Sequence, residues 1–421
     1  MKSAKDKLLM IVNEFPPVGE SGVQRPLKHL KYINRAGWQC FVITPGKASK
    51  TVIDESLLNE ISSEATIHRT FSLGFGGRSV DQVAELKFSS TSGGSMLKNL
   101  FWKALNLLNS LLFPIDKQIG WVPFAYLKAL SLIRLHGIRN IYITAFPFSA
   151  FLIGIMLKRK LGNKICWVAD YRDGWQFEPL LKENTIPFRY AIIERFDRQS
   201  LELCDHAVFP TEHIHALYLQ KYPWLKTKSS TITNGYDEDD FHGLEAHTFD
   251  KFTLLYMGRF FFLHDPLPFI RAIKDECSQD FQFIHIGSAA KEIASKLSTY
   301  PIYNYQGYKS HRQALEFALG ADANLLILND DKDSEGVYTG KLFELLRIGK
   351  PILALGPKRG LVKDLIEQSN AGEYAYIGSS DEIVTAFKRL RVASKSYHTQ
   401  PETYERFSRE RLSTALMKLY E

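Results

Sequence analysis

EGVYTGKLFELLRIGKP, residues 335–351, reads as a short polar loop that becomes a helix and then enters a strand. Thr339 and Gly340 fall where an N-cap and a first turn belong, and Leu342, Phe343, Leu345 and Leu346 give the helix an apolar face. Gly349 closes the helix, and Pro351 opens a buried strand through Leu355. A loop that feeds a helix N-terminus presents free backbone N–H groups and the positive end of the helix dipole, which suits a phosphate or diphosphate. Glu344 lies one turn further in, placed to accept hydrogen bonds from two adjacent hydroxyls such as those of a ribose. An ordinary loop–helix–strand unit with a solvated glutamate is the competing reading.

Before this stretch the chain alternates strands and helices with glycine at the strand ends. Strands are expected at 252–257, 281–286, 302–305 and 323–328, and helices at 266–276, 289–297 and 310–319. Three of the strands run into Gly258-Arg259, Gly287-Ser288 and Gly307-Tyr308. Glycine there lets backbone come close to a ligand at one sheet edge. Arg259 is then the cation for a diphosphate, with an ordinary surface arginine as the alternative, and Gly287 and Tyr308 flank a base. Asp330-Asp-Lys-Asp333 reads as a solvated acidic loop.

The first half opens with a strand at 8–12, a loop carrying Gly19 and Gly22, a helix at 23–36 and a strand at 40–44. This is a βαβ unit with a ligand-sized loop at the carboxyl end of its first strand, and it lacks the GxGxxG of a dinucleotide site. The rhythm fades from about 70 to 120. Residues 71–94 read as a Gly/Ser-rich loop. Residues 96–113 read as an apolar helix with Lys98 and Lys103 at one end. That helix either lies on a membrane surface or packs on its own domain. A helix at 121–135 follows, then strands at 140–145, 166–169, 206–209 and 230–233, interleaved with helices at 148–161, 189–203 and 211–222. Asp170-Tyr-Arg-Asp-Gly-Trp175 sits at a strand's carboxyl end. Arg172 and Asp173 either bind each other or position a polyhydroxylated acceptor, with Trp175 as a stacking surface for a sugar ring. The polar stretch 234–250 is the interdomain linker, and a charged helix at 402–419 is expected to pack back on the first domain.

At 421 residues two domains are expected, and 45% hydrophobic with 24% charged residues is ordinary globular composition. A net charge of +7 suits an anionic ligand or membrane surface, but no Lys/Arg block or reader motif points to nucleic acid. The four cysteines, Cys40, Cys166, Cys204 and Cys277, show no ligand spacing and read as reduced thiols of a cytoplasmic protein. The first residues read as a strand, not a signal peptide, and no apolar run approaches the ~20 residues of a membrane span.

Taken in order, NEFPPVGESGVQR, VADYRDGW, ITNGYDEDDF, YMGR and EGVYTGKLFELLRIGKPILAL resemble family 4 glycosyltransferases with the two-Rossmann B-type fold, over nearly the whole length. The nearest resemblance is to bacterial members that build capsule, lipopolysaccharide or exopolysaccharide. The resemblance implies an α/β chain of two Rossmann-like, doubly wound domains facing across a cleft. An acceptor domain spans 1–240, completed by 400–421, and a nucleotide-sugar domain spans 250–395. It implies a donor site of Gly22, Gly258, Arg259, Gly287, Tyr308, Thr339, Gly340, Lys341, Leu342 and Glu344, and acceptor contacts from Gln24, Arg25, Arg172 and Trp175. Thr339, Gly340 and Lys341 would offer backbone N–H groups to the diphosphate.

Glu335, Asp173 and Arg259 are the implied catalytic residues. The family's first glutamate falls one position later than Glu335, at Gly336, so Glu335 fills that role only if the loop absorbs a residue. The family lysine that follows the arginine is absent, and His264 stands in that region. The implied activity is retaining transfer from a nucleotide-diphosphate-sugar to a glycan or lipid-linked hydroxyl. No cofactor or metal is implied, and the protein is expected in the cytoplasm with peripheral contact to anionic membrane. A nucleotide-sugar epimerase of the same fold and a catalytically inactive binding partner are the rival readings.

Overall fold

The computed structural model describes residues 7–19, 21–46, 53–73, 113–177, 181, 185–261, 264–276, 280–397 and 399–421. All but the last residue of the helix expected at 96–113, most of the loop expected at 71–94, and Cys277 lie outside the described residues. The chain divides into two compact units, Met1–Ile232 with Ser413–Glu421, and Thr233–Leu412.

The first unit is a parallel sheet in the order β3-β2-β1-β4-β5-β6-β7. Its strands are β1 (Lys7–Ile11), β2 (Gln39–Pro45), β3 (Thr66–Thr70), β4 (Asn140–Thr144), β5 (Cys166–Asp170), β6 (His206–Phe209) and β7 (Ser229–Thr231). The crossover helices are α1 (Gln24–Arg35), α2 (Val122–His136), α3 (Ala150–Leu161), α4 (Pro187–Leu203) and α5 (Glu212–Lys221). The strands read as apolar runs because helices cover both faces of a parallel sheet. Ile11, Ile43, Ile143, Trp167 and Phe209 are buried in a core completed by Leu130 and Ile133 of α2 and Phe151 of α3.

The second unit is a parallel sheet in the order β10-β9-β8-β11-β12-β13. Its strands are β8 (Phe252–Met257), β9 (Phe281–Ile286), β10 (Tyr303–Tyr305), β11 (Ala323–Ile327), β12 (Ile352–Gly356) and β13 (Gly372–Tyr376). Its helices are α6 (Leu267–Ile273), α7 (Lys291–Leu297), α8 (His311–Gly320), α9 (Lys332–Glu335), α10 (Gly340–Ile348), α11 (Leu361–Gln368), α12 (Ser380–Ala393) and α13 (Pro401–Glu405), while α14 (Arg409–Lys418) begins in this unit and ends in the first. Leu342, Phe343, Leu345 and Leu346 of α10 pack into the core, as their spacing requires, and Gly349 caps the helix in the left-handed region at φ 74°.

Two expectations change in detail. Residues 332–335 form α9 instead of continuing as a loop, so Glu335 ends a helical turn. The C-terminal helix is broken between α13 and α14. There the Phe407 carbonyl accepts the Tyr236 N–H at 3.1 Å, and the Arg409 N–H donates to the Tyr236 carbonyl at 2.8 Å. Gly235 is needed at this crossing, because a Cβ on it would lie 1.9 Å from the Phe407 carbonyl oxygen. Beyond the break the chain returns to the first unit, where Tyr420 donates to the Ile141 carbonyl at 3.1 Å and its ring lies against Trp38.

Candidate functional site

In each sheet the strand order reverses beside the first strand, between β1 and β4 in one unit and between β8 and β11 in the other. Open parallel sheets bind ligands outside the carboxyl ends of the strands at such a switch point. In the second unit, Gly258 and Arg259 leave β8 there, and α10 starts after β11.

The backbone at this edge is drawn tight. Gly258 has φ 139° and donates its N–H to the Ile286 carbonyl at 2.7 Å. Gly287 has φ 133° and donates to the Gly307 carbonyl at 2.9 Å. These conformations favour glycine, and a Cβ on Gly287 would meet the Gly258 oxygen at 2.0 Å. His285, at the end of β9, accepts at Nδ1 from the Tyr303 hydroxyl at 2.7 Å and donates from Nε2 to the Gly258 carbonyl at 2.9 Å. Burial, followed by the charge of Lys341, outweighs that carbonyl and pushes His285 down to about 4.

Arg259 is exposed, with its guanidinium 5.7 Å from the Phe261 ring. Tyr308 is 81% exposed, a free aromatic surface beside Gly307. Leu342 is fully buried and serves the core, so only its backbone can face a ligand. Thr339 occupies the N-cap of α10 without making a side-chain cap, and its buried Oγ1 has no hydrogen-bond partner. Gly340 is exposed at the helix start, where first-turn N–H groups have no intrahelical acceptor.

Glu344 is half-buried and pairs with His311 of α8, Oε1 to Nε2 at 3.1 Å. Glu335 instead pairs with Arg359, Oε2 to Nε at 3.0 Å, and its backbone lies against Gly360. Lys341 turns back from α10 to β8: its Nζ lies 3.4 Å from the Tyr256 hydroxyl and 4.7 Å from that ring's centroid. The site is therefore drawn from strand ends of β8 and β9 and from α10, with Glu335 held to the Arg359 loop. Sequence reasoning had the positions of α10 but missed His311, His285 and the course of the Lys341 side chain. None carries a motif, and only packing brings them together. His264, the residue standing where the family lysine is absent, is pushed down to about 4 by burial and by Lys341. Both effects disfavour the charged imidazole in the free protein.

In the first unit, Gly22, Glu14 and Arg172 converge at the ends of β1 and β5. Arg172 pairs with Glu14 at 3.1 Å, not with Asp173, and a Cβ on Gly22 would lie 1.8 Å from Glu14 Oε2. Asp173 is exposed. Desolvation, with Glu14 added, raises its pKa against the pull of Arg172. Gln24 is half-buried on the first turn of α1.

Two expected acceptor contacts face inward. Trp175 is 4% exposed and stacks on Phe148 at 4.0 Å and 6°, so its ring offers no face to a sugar. Arg25 is 2% exposed and bound to Asp170 at 2.6 Å, which assigns it to the core. VADYRDGW reads as polar and aromatic in sequence, but the aromatic residues close the core under β5 and α3.

Among the described residues no group of three His, Cys, Asp or Glu is arranged to hold a metal ion, and no helix is long and apolar enough to cross a membrane. No family model matches the chain. No curated protein sequence matches it either. Solved structures do match, over almost all of both chains. Sucrose-phosphate synthase from Thermosynechococcus elongatus is 13% identical, covering 99% of this chain and 98% of its own, with a TM-score of 0.65. Anabaena HepE in complex with UDP is 12% identical, covering 98% of each chain, with a TM-score of 0.63. The lipopolysaccharide outer core galactosyltransferase WaaB is 13% identical, covering 98% of each, with a TM-score of 0.59. At these identities the likeness establishes the fold: two parallel-sheet α/β domains of the B-type glycosyltransferase architecture.

Proposed function

We propose that this protein is a retaining glycosyltransferase of the family 4 type. It moves a sugar from a nucleotide-diphosphate donor to a hydroxyl of a glycan or lipid-linked acceptor, in bacterial surface-polysaccharide synthesis. One observation carries the reading: Arg259 and the open N-terminus of α10 flank the switch point of the second sheet, and Glu344 lies one turn further along that helix. A diphosphate at the helix start, with its ribose on Glu344, fits that spacing. HepE, of similar fold, was crystallised with UDP, and WaaB is named a galactosyltransferase, which supports a nucleotide-sugar donor.

The chemistry follows from charge. Breaking the bond from the anomeric carbon to the phosphate oxygen puts negative charge on the leaving diphosphate and positive charge on the sugar. In this reading Arg259 and the first-turn N–H groups meet the former, and groups placed in advance cost no reorganisation as the bond breaks. The acceptor oxygen bonds the anomeric carbon on the face being vacated, and its proton passes to the departing phosphate oxygen. The reading requires no metal. It places the protein in the cytoplasm, with peripheral contact to anionic membrane where the acceptor is lipid-linked.

Thermal unfolding against UDP, GDP, ADP, CMP and dTDP tests the donor site. The matching diphosphate at a hundredfold excess over its dissociation constant should add about 2.7 kcal/mol of stability. Stabilisation by none of them would remove the donor reading. Arg259→Ala should weaken the diphosphate by roughly ten- to a hundredfold while leaving the nucleoside unchanged. Equal losses for both would make Arg259 structural. Glu344→Ala should weaken the ribonucleoside diphosphate by about tenfold or more and spare inorganic pyrophosphate, both read by calorimetry. A variant that loses both equally would move the ribose contact elsewhere.

A further inference from the structure

We propose that the Lys341 side chain, laid under Gly258, is the second cation for the donor diphosphate. The inference rests on the donor-site reading and adds a residue and a pH dependence to it. A Cβ on Gly258 would lie 1.8 Å from Lys341 Nζ and 2.6 Å from Cε, so the amine sits against the backbone at the carboxyl end of β8, one residue from Arg259. Any side chain at 258 would displace it. Among the described residues no carboxylate lies at ion-pair distance from this amine. Its close polar neighbour is the Tyr256 hydroxyl, which itself donates to the Arg259 carbonyl at 3.4 Å. A half-buried lysine without a counter-ion is costly unless an anion completes it. The orphaned Thr339 Oγ1 at the start of the same helix is a second group left for a ligand to satisfy.

The charged and titratable groups around the amine are few. Tyr256 faces it from β8, His264 from the segment after β8, His285 from β9 and Glu344 from its own helix. Both histidines are neutral near pH 7, and Glu344 is engaged with His311. Desolvation dominates over the attraction of Glu344, and the Lys341 amine falls from 10.5 to about 8. A bound diphosphate supplies the missing negative charge and raises the amine again, so binding above pH 8 takes up a proton. Affinity is full below pH 8 and falls by up to about tenfold per pH unit above it, until the amine of the complex also titrates. The stability of the free protein has the opposite sense. The cost of the charged amine is present below pH 8 and is relieved as pH rises from there toward 10.5.

The test is calorimetric titration of the intact protein with the nucleoside diphosphates UDP, GDP, ADP and dTDP between pH 7 and 9.5, in buffers of different ionisation enthalpy. For the diphosphate that binds, the wild type should show proton uptake and falling affinity above pH 8. Lys341→Met should bind roughly ten- to a hundredfold more weakly at pH 7, with no proton uptake. Lys341→Arg should bind with little change in affinity across the range, since guanidinium does not titrate there. Melting scans settle folding: Lys341→Met should melt several degrees above wild type at pH 7, with the gain fading between pH 8 and 10.5. A Lys341→Met protein that binds like wild type overturns the inference and leaves the donor site standing. Lys341→Arg that keeps the wild-type pH slope overturns it as well. If wild type binds no nucleoside diphosphate at any pH, the donor-site reading itself fails and this inference with it.

Discussion

Asp170→Ala is expected to cost the first unit about 3–5 kcal/mol of unfolding free energy, the range for leaving a buried charge without its partner. Arg25 reaches Asp170 through Nε at 2.9 Å and Nη2 at 2.6 Å, and also donates to the Ile232 carbonyl at 2.8 Å. The Tyr142 and Thr144 hydroxyls donate to the same carboxylate, Thr144 at 2.8 Å. The substitution therefore removes the carboxylate that a guanidinium and two hydroxyls share. Burial alone would raise Asp170, but Arg25 and the Tyr142 hydrogen bond outweigh it and hold the carboxyl below its ordinary value of 3.8. The stability this carboxylate adds is thus present above the unfolded-state value near ~3.9 and is lost as pH falls through the lower folded one. Arg25→Met combined with Asp170→Leu should recover most of the loss, because apolar groups of similar volume carry no desolvation cost. Urea titrations of the two variants check both results. A loss of under ~1 kcal/mol in Asp170→Ala would mean that water reaches the pair.

Much of this architecture is legible in sequence, and the limits have physical causes. β6, β8 and β9 emerge with the expected bounds, because fully covered strands are short apolar runs between turn signals. β3 and β13 lie at sheet edges, half-exposed and mixed in character, and carry no such run. The same limit applies to the site. The glycines after β8 and β9 mark a close backbone approach, and α10 has a clear apolar face. Arg25 and Trp175 look like cleft residues, because a buried ion pair and a buried stack use the same residue types as a sugar site. Lys341 reads as one more lysine on a helix start. Only the space left by Gly258, a residue more than eighty positions away, shows where its amine goes.

Gly287→Ala should place a strongly damaging methyl in the second unit, at the edge where the candidate site lies. It should lower stability by roughly 2–4 kcal/mol and nucleotide affinity by at least about tenfold, if the donor-site reading is right. Two costs combine. At φ 133° an L side chain is strained by itself. The added Cβ would also stand 2.0 Å from the Gly258 oxygen and 2.6 Å from its carbonyl carbon, and these are backbone atoms with no rotamer to escape into. The ends of β8 and β9 must then part. The Gly258 N–H to the Ile286 carbonyl and the Gly258 carbonyl to His285 are among the bonds that hold them together. Arg259 follows directly in the chain, and the Lys341 amine rests on Gly258, so a shift there moves both cations. Gly307→Ala separates the two costs. Its φ is 71°, but nothing lies within 4 Å of the added Cβ, so backbone strain of about 1 kcal/mol is all that is expected, with the Gly258 carbonyl untouched. Parallel melting curves and calorimetric titrations of the two variants make the comparison. Gly287→Ala should lose stability and ligand affinity together while Gly307→Ala loses a little stability alone. Matching results would mean that the two strand ends part freely, and that their close approach neither holds the sheet edge nor positions the cations.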